Sequence, residues 1–208
     1  MEKLHTDFVP ARSPIGRRLM VVLHGLGDSM EGYRFLPRAM NLPWLNYLLV
    51  NAPDLYFNGF SWYDLYNDSG VGITRSRKLL FKLIDDLRAE GYASEDIVLF
   101  GFSQGCLMSI ELGTRYPARF AGIVGVSGYV HQSETLVNEL SSAAKQQRFL
   151  ITHGTVDRLL PLQFTRRQIQ LLEQAGLKIS WREFEKEHTI AGEEEFKVIR
   201  EFIRESWE

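Results

Sequence analysis

The chain has 208 residues, with 24 Lys and Arg against 26 Asp and Glu and a formal net charge of −2 at pH 7. This length suits one domain, and the near balance of charge leaves no broad basic surface to attract nucleic acid or acidic membranes. Cys106 is the sole cysteine, which excludes an internal disulfide and a cysteine zinc site. The first residues lack a signal peptide's apolar stretch, and no window approaches the roughly 20 apolar residues that span a bilayer. We expect one cytoplasmic domain, residues 1–208, without stable membrane insertion.

Short runs rich in Val, Ile, Leu and Phe alternate with longer amphipathic stretches, which is typical of strands and helices in a parallel sheet. In chain order, the predicted elements are strand Arg18–His24, strand Tyr47–Asn51, helix Gly72–Glu90, strand Ile97–Phe102, helix Gln104–Arg115, strand Gly122–Val126, helix Ser133–Lys145, strand Phe149–His153, helix Leu162–Ala175, strand Ile179–Phe184 and helix Gly192–Ser206. This order predicts a mostly parallel central sheet with helices on both faces, compact and without a large cap domain. Ligands of such sheets bind beyond the carboxyl ends of the strands.

A long segment, Ala52–Gly72, separates the second predicted strand from the first predicted helix. It holds Pro53, Gly59, Gly70 and many aromatic residues, and a compact domain rarely keeps so long a connection unless it lines a site. We expect this segment to form a wall of the substrate pocket.

The strand Ile97–Phe102 runs directly into the sequence Gly-Phe-Ser-Gln-Gly at Gly101–Gly105 and then into a predicted helix. A G-x-S-x-G at a strand-to-helix turn is typical of the nucleophile elbow, which exposes a serine above the sheet. Glycine is needed on both sides because the turn is so tight that side chains there would collide with neighbouring backbone. Ser103 is therefore the predicted nucleophile.

A serine nucleophile needs a base, and the base needs a carboxylate to fix its tautomer. In the elbow architecture these partners follow in the order serine, acid, histidine. Asp157 is the only Asp between Ser103 and the last histidine, and His188 is the only histidine after Asp157. Singly, Asp157 could be a turn residue and His188 an exposed loop histidine. Together, each just past a predicted strand, they complete a predicted triad with Ser103.

Four glutamates compete with Asp157 for the role of the acid: Glu111, Glu173, Glu185 and Glu187. The first two fall within predicted helices. The last two are sequence neighbours of His188, so they are poorly placed to reach its far nitrogen. Asp157 is therefore the favoured acid.

Acyl transfer also needs backbone donors for the oxyanion, commonly the amide after the nucleophile and one from the loop after an early strand. The N–H of Gln104 supplies the first. We assign the second to the N–H of Leu26, because the glycines in His24–Asp28 let the chain approach a substrate closely. The alternative for this segment is a tight turn without a catalytic role.

His24 and His153 each precede a glycine at a predicted strand end, where a histidine could also be catalytic or bind a metal. Neither follows the acid, so we expect both to organise loops through hydrogen bonds. Without carboxylates or cysteines clustered at ligand spacing, no metal site is predicted.

The chain resembles the phospholipase/carboxylesterase family of small α/β-hydrolases, which includes acyl-protein thioesterases and bacterial carboxylesterases. The resemblance covers nearly the whole length and rests on HGLGD at His24–Asp28, SWYD at Ser61–Asp64, GFSQG at Gly101–Gly105, SGY at Ser127–Tyr129, and HGTVD at His153–Asp157 followed by Pro161. It implies the α/β-hydrolase fold, cofactor-free hydrolysis of short- to medium-chain acyl esters, lysophospholipids or S-acyl thioesters, and frequently a homodimer. It also implies that residues around SWYD border the acyl pocket. We expect its wall to include four residues, for each of which a core role is the alternative: Trp62, Leu65, Tyr129 and Leu160.

The chain departs from the family pattern at two positions near the predicted triad. Cys106 stands where the family commonly has a third glycine, and behind the nucleophile it would alter packing rather than chemistry. Glu187 stands where a glycine usually precedes the histidine, and it could either raise the basicity of His188 or face water.

Three other functions fit parts of this pattern. A non-catalytic binding module could use the same scaffold, since a fold does not fix a function. Within enzymes, the alternatives are a peptidase or a lactone hydrolase. Lactone-hydrolase relatives usually carry a cysteine at the elbow, so Ser103 disfavours that branch.

Overall fold

The structure, a computed structural model, describes residues 3–13, 16–67 and 69–207. Within these ranges the strands are β1 (Thr6–Val9), β2 (Leu19–Leu23), β3 (Asn46–Val50), β4 (Asp54–Tyr56), β5 (Gly59–Ser61), β6 (Ile97–Phe102), β7 (Gly122–Val126), β8 (Arg148–Gly154) and β9 (Lys178–Phe184). The α-helices are α1 (Leu36–Met40), α2 (Ser69–Ala89), α3 (Gln104–Arg115), α4 (Ser133–Leu136), α5 (Leu162–Gln174) and α6 (Glu193–Arg204). Short 3₁₀ turns cover Met30–Tyr33, Ser94–Asp96, Ala144–Gln146 and Glu205–Trp207.

Seven strands form one sheet in the order β1-β3-β2-β6-β7-β8-β9, in which β1 pairs antiparallel with β3 and every other pair is parallel. Both faces of this sheet are buried. Along β2, Leu19, Val21 and Leu23 pack on the side of α2, α3 and α5, whereas Met20 and Val22 pack on the side of α1 and α6. Burial on both faces explains why the parallel strands are continuous apolar runs in the sequence. The predicted α/β architecture is confirmed.

The predicted helix Ser133–Lys145 is wrong in most of its length. Helix α4 ends at Leu136, and the chain then turns before the 3₁₀ segment Ala144–Gln146. Ser141 explains the break, because its N–H donates to the carbonyl of Thr114 at 2.9 Å and its hydroxyl to that of Tyr116 at 2.9 Å. These bonds tie the segment to the end of α3 and cannot form in a continuous helix over 133–145.

The segment Ala52–Gly72 contains structure that the sequence did not predict. Strands β4 and β5 form an antiparallel hairpin, and α2 begins at Ser69 rather than Gly72. The hairpin joins the loop after β2, since Gly27 N–H donates to Phe60 O and Phe60 N–H donates to Asp28 O, both at 2.9 Å. The segment therefore stands beside the predicted oxyanion loop. Within the described ranges, no helix is both long and apolar enough to cross a membrane.

Candidate active site

Ser103 lies between β6 and α3 in a backbone conformation with φ 53° and ψ −113°, which is strained for a residue with a side chain. The flanking glycines make this turn possible. A Cβ on Gly101 would lie 2.0 Å from the carbonyl oxygen of Gly105, and a Cβ on Gly105 would lie 2.1 Å from that of Leu23. The tight turn therefore brings α3 against β2 and presents the serine at the carboxyl edge of the sheet. The steric need for glycine on both sides is confirmed.

The structure brings Ser103, His188 and Asp157 together from three loops that follow β6, β9 and β8. His188 Nε2 lies 2.9 Å from Ser103 Oγ, and His188 Nδ1 lies 2.7 Å from Asp157 Oδ2. The Asp157 side chain is 0% exposed and that of His188 is 15% exposed. The hydroxyl, imidazole and carboxylate thus form one continuous chain of hydrogen bonds whose serine end faces solvent-accessible space.

Asp157 is held as a carboxylate despite its burial. Its Oδ1 accepts the N–H groups of Leu159 and Leu160, both at 2.9 Å, and its Oδ2 accepts the ring N–H of His188. Burial pushes the pKa of Asp157 up, but the amide of Leu160 and the ring of His188 stabilise the charged form, so the pKa lies below its ordinary value. An ionised Asp157 fixes the proton of His188 on Nδ1 and leaves Nε2 free to accept the serine proton.

The competing glutamates make their contacts elsewhere. Glu111 pairs with Arg77 at 2.7 Å, and Glu173 pairs with Arg166 at 3.0 Å. The Glu185 and Glu187 side chains are exposed. For Glu187, this position favours the water-facing alternative over a direct effect on His188.

Two backbone amides stand next to the nucleophile. Gln104 is the first residue of α3, so its N–H has no acceptor within the helix. The loop after β2 packs against the elbow, because a Cβ on Gly25 would lie 3.4 Å from Ser103 Cβ. Its Gly27 and Asp28 amides are engaged, whereas Leu26 N–H donates no hydrogen bond to any described residue. The amides of Leu26 and Gln104 are therefore available to an oxyanion.

The side chain of Gln104 has a contact role that the sequence did not reveal. Its Oε1 accepts the N–H of Trp62 at 3.0 Å, and its Nε2 donates to the carbonyl of Tyr63 at 3.0 Å. Because Gln104 is buried, these bonds connect the elbow rigidly to the segment that follows β5. The glutamine directly after the nucleophile is visible in the sequence, but the sequence predicts a role only for its backbone N–H and not for its side chain.

Of the four predicted pocket residues, Leu65 lies most clearly in a cavity. It is 43% exposed and lines a cavity of about 330 Å³ together with Leu26 and Tyr63. Trp62 is fully buried, and its Nε1 donates to His24 O at 2.9 Å, which is the core role given as the alternative.

Tyr129 and Leu160, the other two, are each held by hydrogen bonds. The Tyr129 hydroxyl lies 2.8 Å from that of Tyr63. The Leu160 N–H donates to Asp157 Oδ1, and the Leu160 carbonyl accepts a hydrogen bond from His153 Nε2. A second cavity, of about 400 Å³, is lined by His188, Phe102 and Tyr33 among others.

His24 and His153 organise loops, as expected. His24 donates from Nδ1 to Gly25 O at 2.7 Å and accepts at Nε2 from Ala52 N–H at 3.0 Å, so its ring is neutral. His153 donates from Nε2 to Leu160 O at 2.8 Å and so supports the turn that binds Asp157. Burial lowers the pKa of both rings. Across residues 3–13, 16–67 and 69–207, no three His, Cys, Asp or Glu side chains group in a way that could hold a metal ion.

Cys106 fills a gap behind the nucleophile. A Cβ on Gly125 would lie 2.5 Å from its Sγ, and a Cβ on Gly128 would lie 2.4 Å from it. Burial raises the pKa of the Cys106 thiol to about 12, so the group is protonated. Cys106 therefore packs against Gly125 and Gly128.

The model of the phospholipase/carboxylesterase family matches residues 7–207. The chain belongs to this family. Acyl-protein thioesterase 1 of Schizosaccharomyces pombe is 34% identical over 199 residues, which is 89% of each protein. Its counterpart in Yarrowia lipolytica is 29% identical over 206 residues, covering 90% of this chain and 91% of that protein.

Two solved structures of similar fold extend the comparison. Esterase PE8 superposes with a TM-score of 0.87 at 27% identity, covering 98% of this chain and 99% of the other. SOBER1 of Arabidopsis thaliana has a TM-score of 0.84 at 25% identity, covering 93% and 100%. The α/β-hydrolase fold and the family resemblance are confirmed, and the enzyme class is that of a hydrolase acting on carboxylic esters or thioesters.

Proposed function

We propose that the protein is a serine hydrolase that cleaves acyl esters or thioesters through a Ser103–His188–Asp157 triad and an acyl-enzyme. The observation that carries this proposal is the unbroken hydrogen-bond chain from Ser103 Oγ through both ring nitrogens of His188 to a buried Asp157. The family match and the acyl-protein thioesterase and esterase names of its relatives support the same reaction class.

The mechanism follows from the atoms that face Ser103. His188 Nε2 takes the proton of Ser103 Oγ as that oxygen attacks the acyl carbonyl, and the amides of Leu26 and Gln104 stabilise the oxyanion. The imidazolium then gives its proton to the departing alcohol or thiol. Water then enters at the same position, loses a proton to His188 as it attacks the acyl carbonyl, and the acyl–Oγ bond breaks as the imidazolium returns that proton to Ser103 Oγ.

Two cavities, one lined by His188 and one lined by Leu26, support an assignment of substrate sides. The proton donor to the leaving group is His188, so the leaving group belongs on the side of the cavity that His188 lines. The acyl chain then extends past the Leu26 amide into the cavity lined by Leu65 and Tyr63.

A fluorophosphonate, which phosphonylates activated serines, tests the proposal directly. We expect Ser103 to be labelled in the parent protein and the Ser103→Ala variant to remain unlabelled. Ser109→Ala is the matched control, because Ser109 lies on α3, the helix that follows Ser103, and its buried hydroxyl has no partner among the described residues. Labelling should survive in this control. Failure to label the folded parent would favour a non-catalytic binding module.

A substrate panel addresses the leaving group. Initial rates on p-nitrophenyl esters, acyl thioesters and lysophospholipids of matched chain length would rank the three classes. Cleavage of peptides or lactones in preference to all of these would instead support the peptidase or lactone hydrolase alternative.

The proposal also covers the domain organisation, the cellular location and the oligomeric state of the protein. One α/β-hydrolase domain over residues 1–208 is supported by the family match to residues 7–207. A cytoplasmic location is supported by the single buried cysteine. A homodimer rests on the family resemblance, and its test is the molar mass in solution. No nucleic acid partner and no cofactor are part of the proposal.

A further inference from the structure

Lys186 and Glu195 form an ion pair that is almost completely removed from solvent. The Lys186 Nζ lies 2.6 and 2.8 Å from the two carboxylate oxygens, and the side chains are 2% and 0% exposed. Burying two charges costs solvation energy, and such pairs often stabilise a fold no better than apolar residues of similar volume. Neither residue is part of the proposed triad. Fold stability alone therefore does not account for the pair.

The Glu195 carboxylate, on the first turn of α6, contacts both ends of the loop that carries His188. Lys186 precedes His188 by two residues, and Ala191, three residues after His188, donates its N–H to Glu195 Oε2 at 2.7 Å. One buried carboxylate thus closes the loop 186–191 onto α6.

Lys186 also contacts the loop that carries Asp157. Its carbonyl accepts the N–H of Val156 at 3.3 Å, and a Cβ on Gly154 would lie only 2.2 Å from that oxygen. Burial lowers the pKa of Lys186, while Glu195 and, more weakly, Asp157 oppose that shift, which agrees with a charge close to the acid. Lys186 therefore belongs to the loop that carries the base, His188, and contacts the loop that carries the acid, Asp157.

We infer that Lys186 and Glu195 are positioning residues, which fix the 186–191 loop so that His188 keeps hydrogen-bond contact with both Asp157 and Ser103. This inference rests on the proposed function of His188. The other contacts of the loop are weaker or apolar: Ser127 Oγ donates to Thr189 O at 3.5 Å and Ile190 packs against the core, whereas the Glu187 and Thr189 side chains are exposed. A displacement of about 1 Å at a reacting group costs on the order of 10²-fold in rate.

The decisive variant is Lys186→Met with Glu195→Leu, which removes both charges and keeps apolar volume. The matched control is Glu193→Gln with Arg200→Gln, an ion pair on the same helix whose Arg200 contacts Ala39 O at 3.0 Å. We expect both double variants to melt within about 4 °C of the parent. Only the first should lose kcat, by about 10²-fold, with KM changed by less than about threefold.

A substrate-free readout separates this inference from the proposed function. The His188 Nδ1 proton, held 2.7 Å from Asp157, should give a far-downfield ¹H NMR signal that is absent in His188→Gln. We expect the signal in the parent and the control, and its loss in Lys186→Met/Glu195→Leu. A parent that shows the signal but neither cleaves esters nor reacts with a fluorophosphonate would refute the proposed function alone.

If the decisive variant does not fold, Lys186→Met with Glu195→Gln keeps an acceptor for Ala191 N–H and neutralises the pair. This variant should have a lower kcat and a weaker downfield signal. The single variant Lys186→Arg, which keeps a cation beside Glu195, should retain more of both than this neutral variant does. A folded neutral variant with the parental kcat and signal would overturn the positioning role and leave the pair as ordinary packing.

Discussion

Asp157→Asn should abolish most activity because the structure leaves the asparagine no productive orientation. Asp157 Oδ1 accepts two backbone N–H groups, from Leu159 and Leu160, and Oδ2 accepts the ring N–H of His188. An amide has one oxygen and one NH₂ group. If its oxygen takes the two backbone donors, its NH₂ meets His188 Nδ1 and forces the proton onto Nε2, where it faces Ser103. The reverse orientation sets the NH₂ against two N–H donors.

The expected loss in kcat is up to about 10⁴-fold, the size seen when a triad histidine is held in the wrong tautomer. At about 1.36 kcal/mol per factor of ten, this corresponds to roughly 5.4 kcal/mol of transition-state stabilisation. Substrate contacts are not altered directly, so KM should change far less than kcat.

The assay is kcat and KM on a water-soluble p-nitrophenyl ester, with circular dichroism to verify the fold. Glu185→Gln and Glu187→Gln are the controls, since both remove an exposed carboxylate near His188 in sequence. A folded Asp157→Asn protein that keeps more than a tenth of the parental kcat, or a control that loses more activity, would refute the assignment of the acid.

Three further outcomes are expected. Ser103→Ala should lower kcat by about 10³-fold or more without a change in the melting temperature, and near-parental turnover of the purified variant would contradict the nucleophile assignment. Activity should be unchanged by a chelator, because the proposed mechanism uses no metal ion, and complete loss of activity with chelator would contradict it. Gly105→Ala should destabilise the fold by roughly 3 kcal/mol, as measured by urea unfolding, because its Cβ would lie 2.1 Å from Leu23 O. An unchanged unfolding midpoint would mean that the elbow relaxes more easily than its contacts indicate.

The parallel strands were predictable because both of their faces are buried, which leaves continuous apolar runs in the sequence. Strand β1 was missed because it is a four-residue edge strand with mixed polarity, which becomes a strand by pairing with β3. The hairpin β4–β5 was missed for a similar reason, since its three-residue strands are stabilised by the loop after β2. Tertiary contacts decided both cases, and a local pattern cannot contain them.

The order of the catalytic residue types along the chain made the candidate site predictable from the sequence. Only one Asp and one His satisfy the serine, acid, histidine order, and the structure brings Asp157 and His188 to Ser103. The supporting contacts were not predictable. Lys186 and Glu195 lie in charged stretches that suggest a solvated surface, and their burial together depends on how α6 packs against the loop after β9.

The contacts among the loops around Ser103 bear on the two amides that we propose for the oxyanion, those of Leu26 and Gln104. The Gln104 side chain holds Trp62 and Tyr63, and the hairpin backbone holds Gly27 and Asp28. The hairpin bonds engage the two residues that follow Leu26, while the Leu26 N–H has no partner among the described residues. A polar group oriented in this way before the substrate arrives needs no reorganisation when the oxyanion forms, which is the condition under which backbone donors stabilise a transition state most. In the proposed mechanism, Gln104 therefore offers one amide to the oxyanion through its backbone and, through its side chain, holds the segment that packs beside the other.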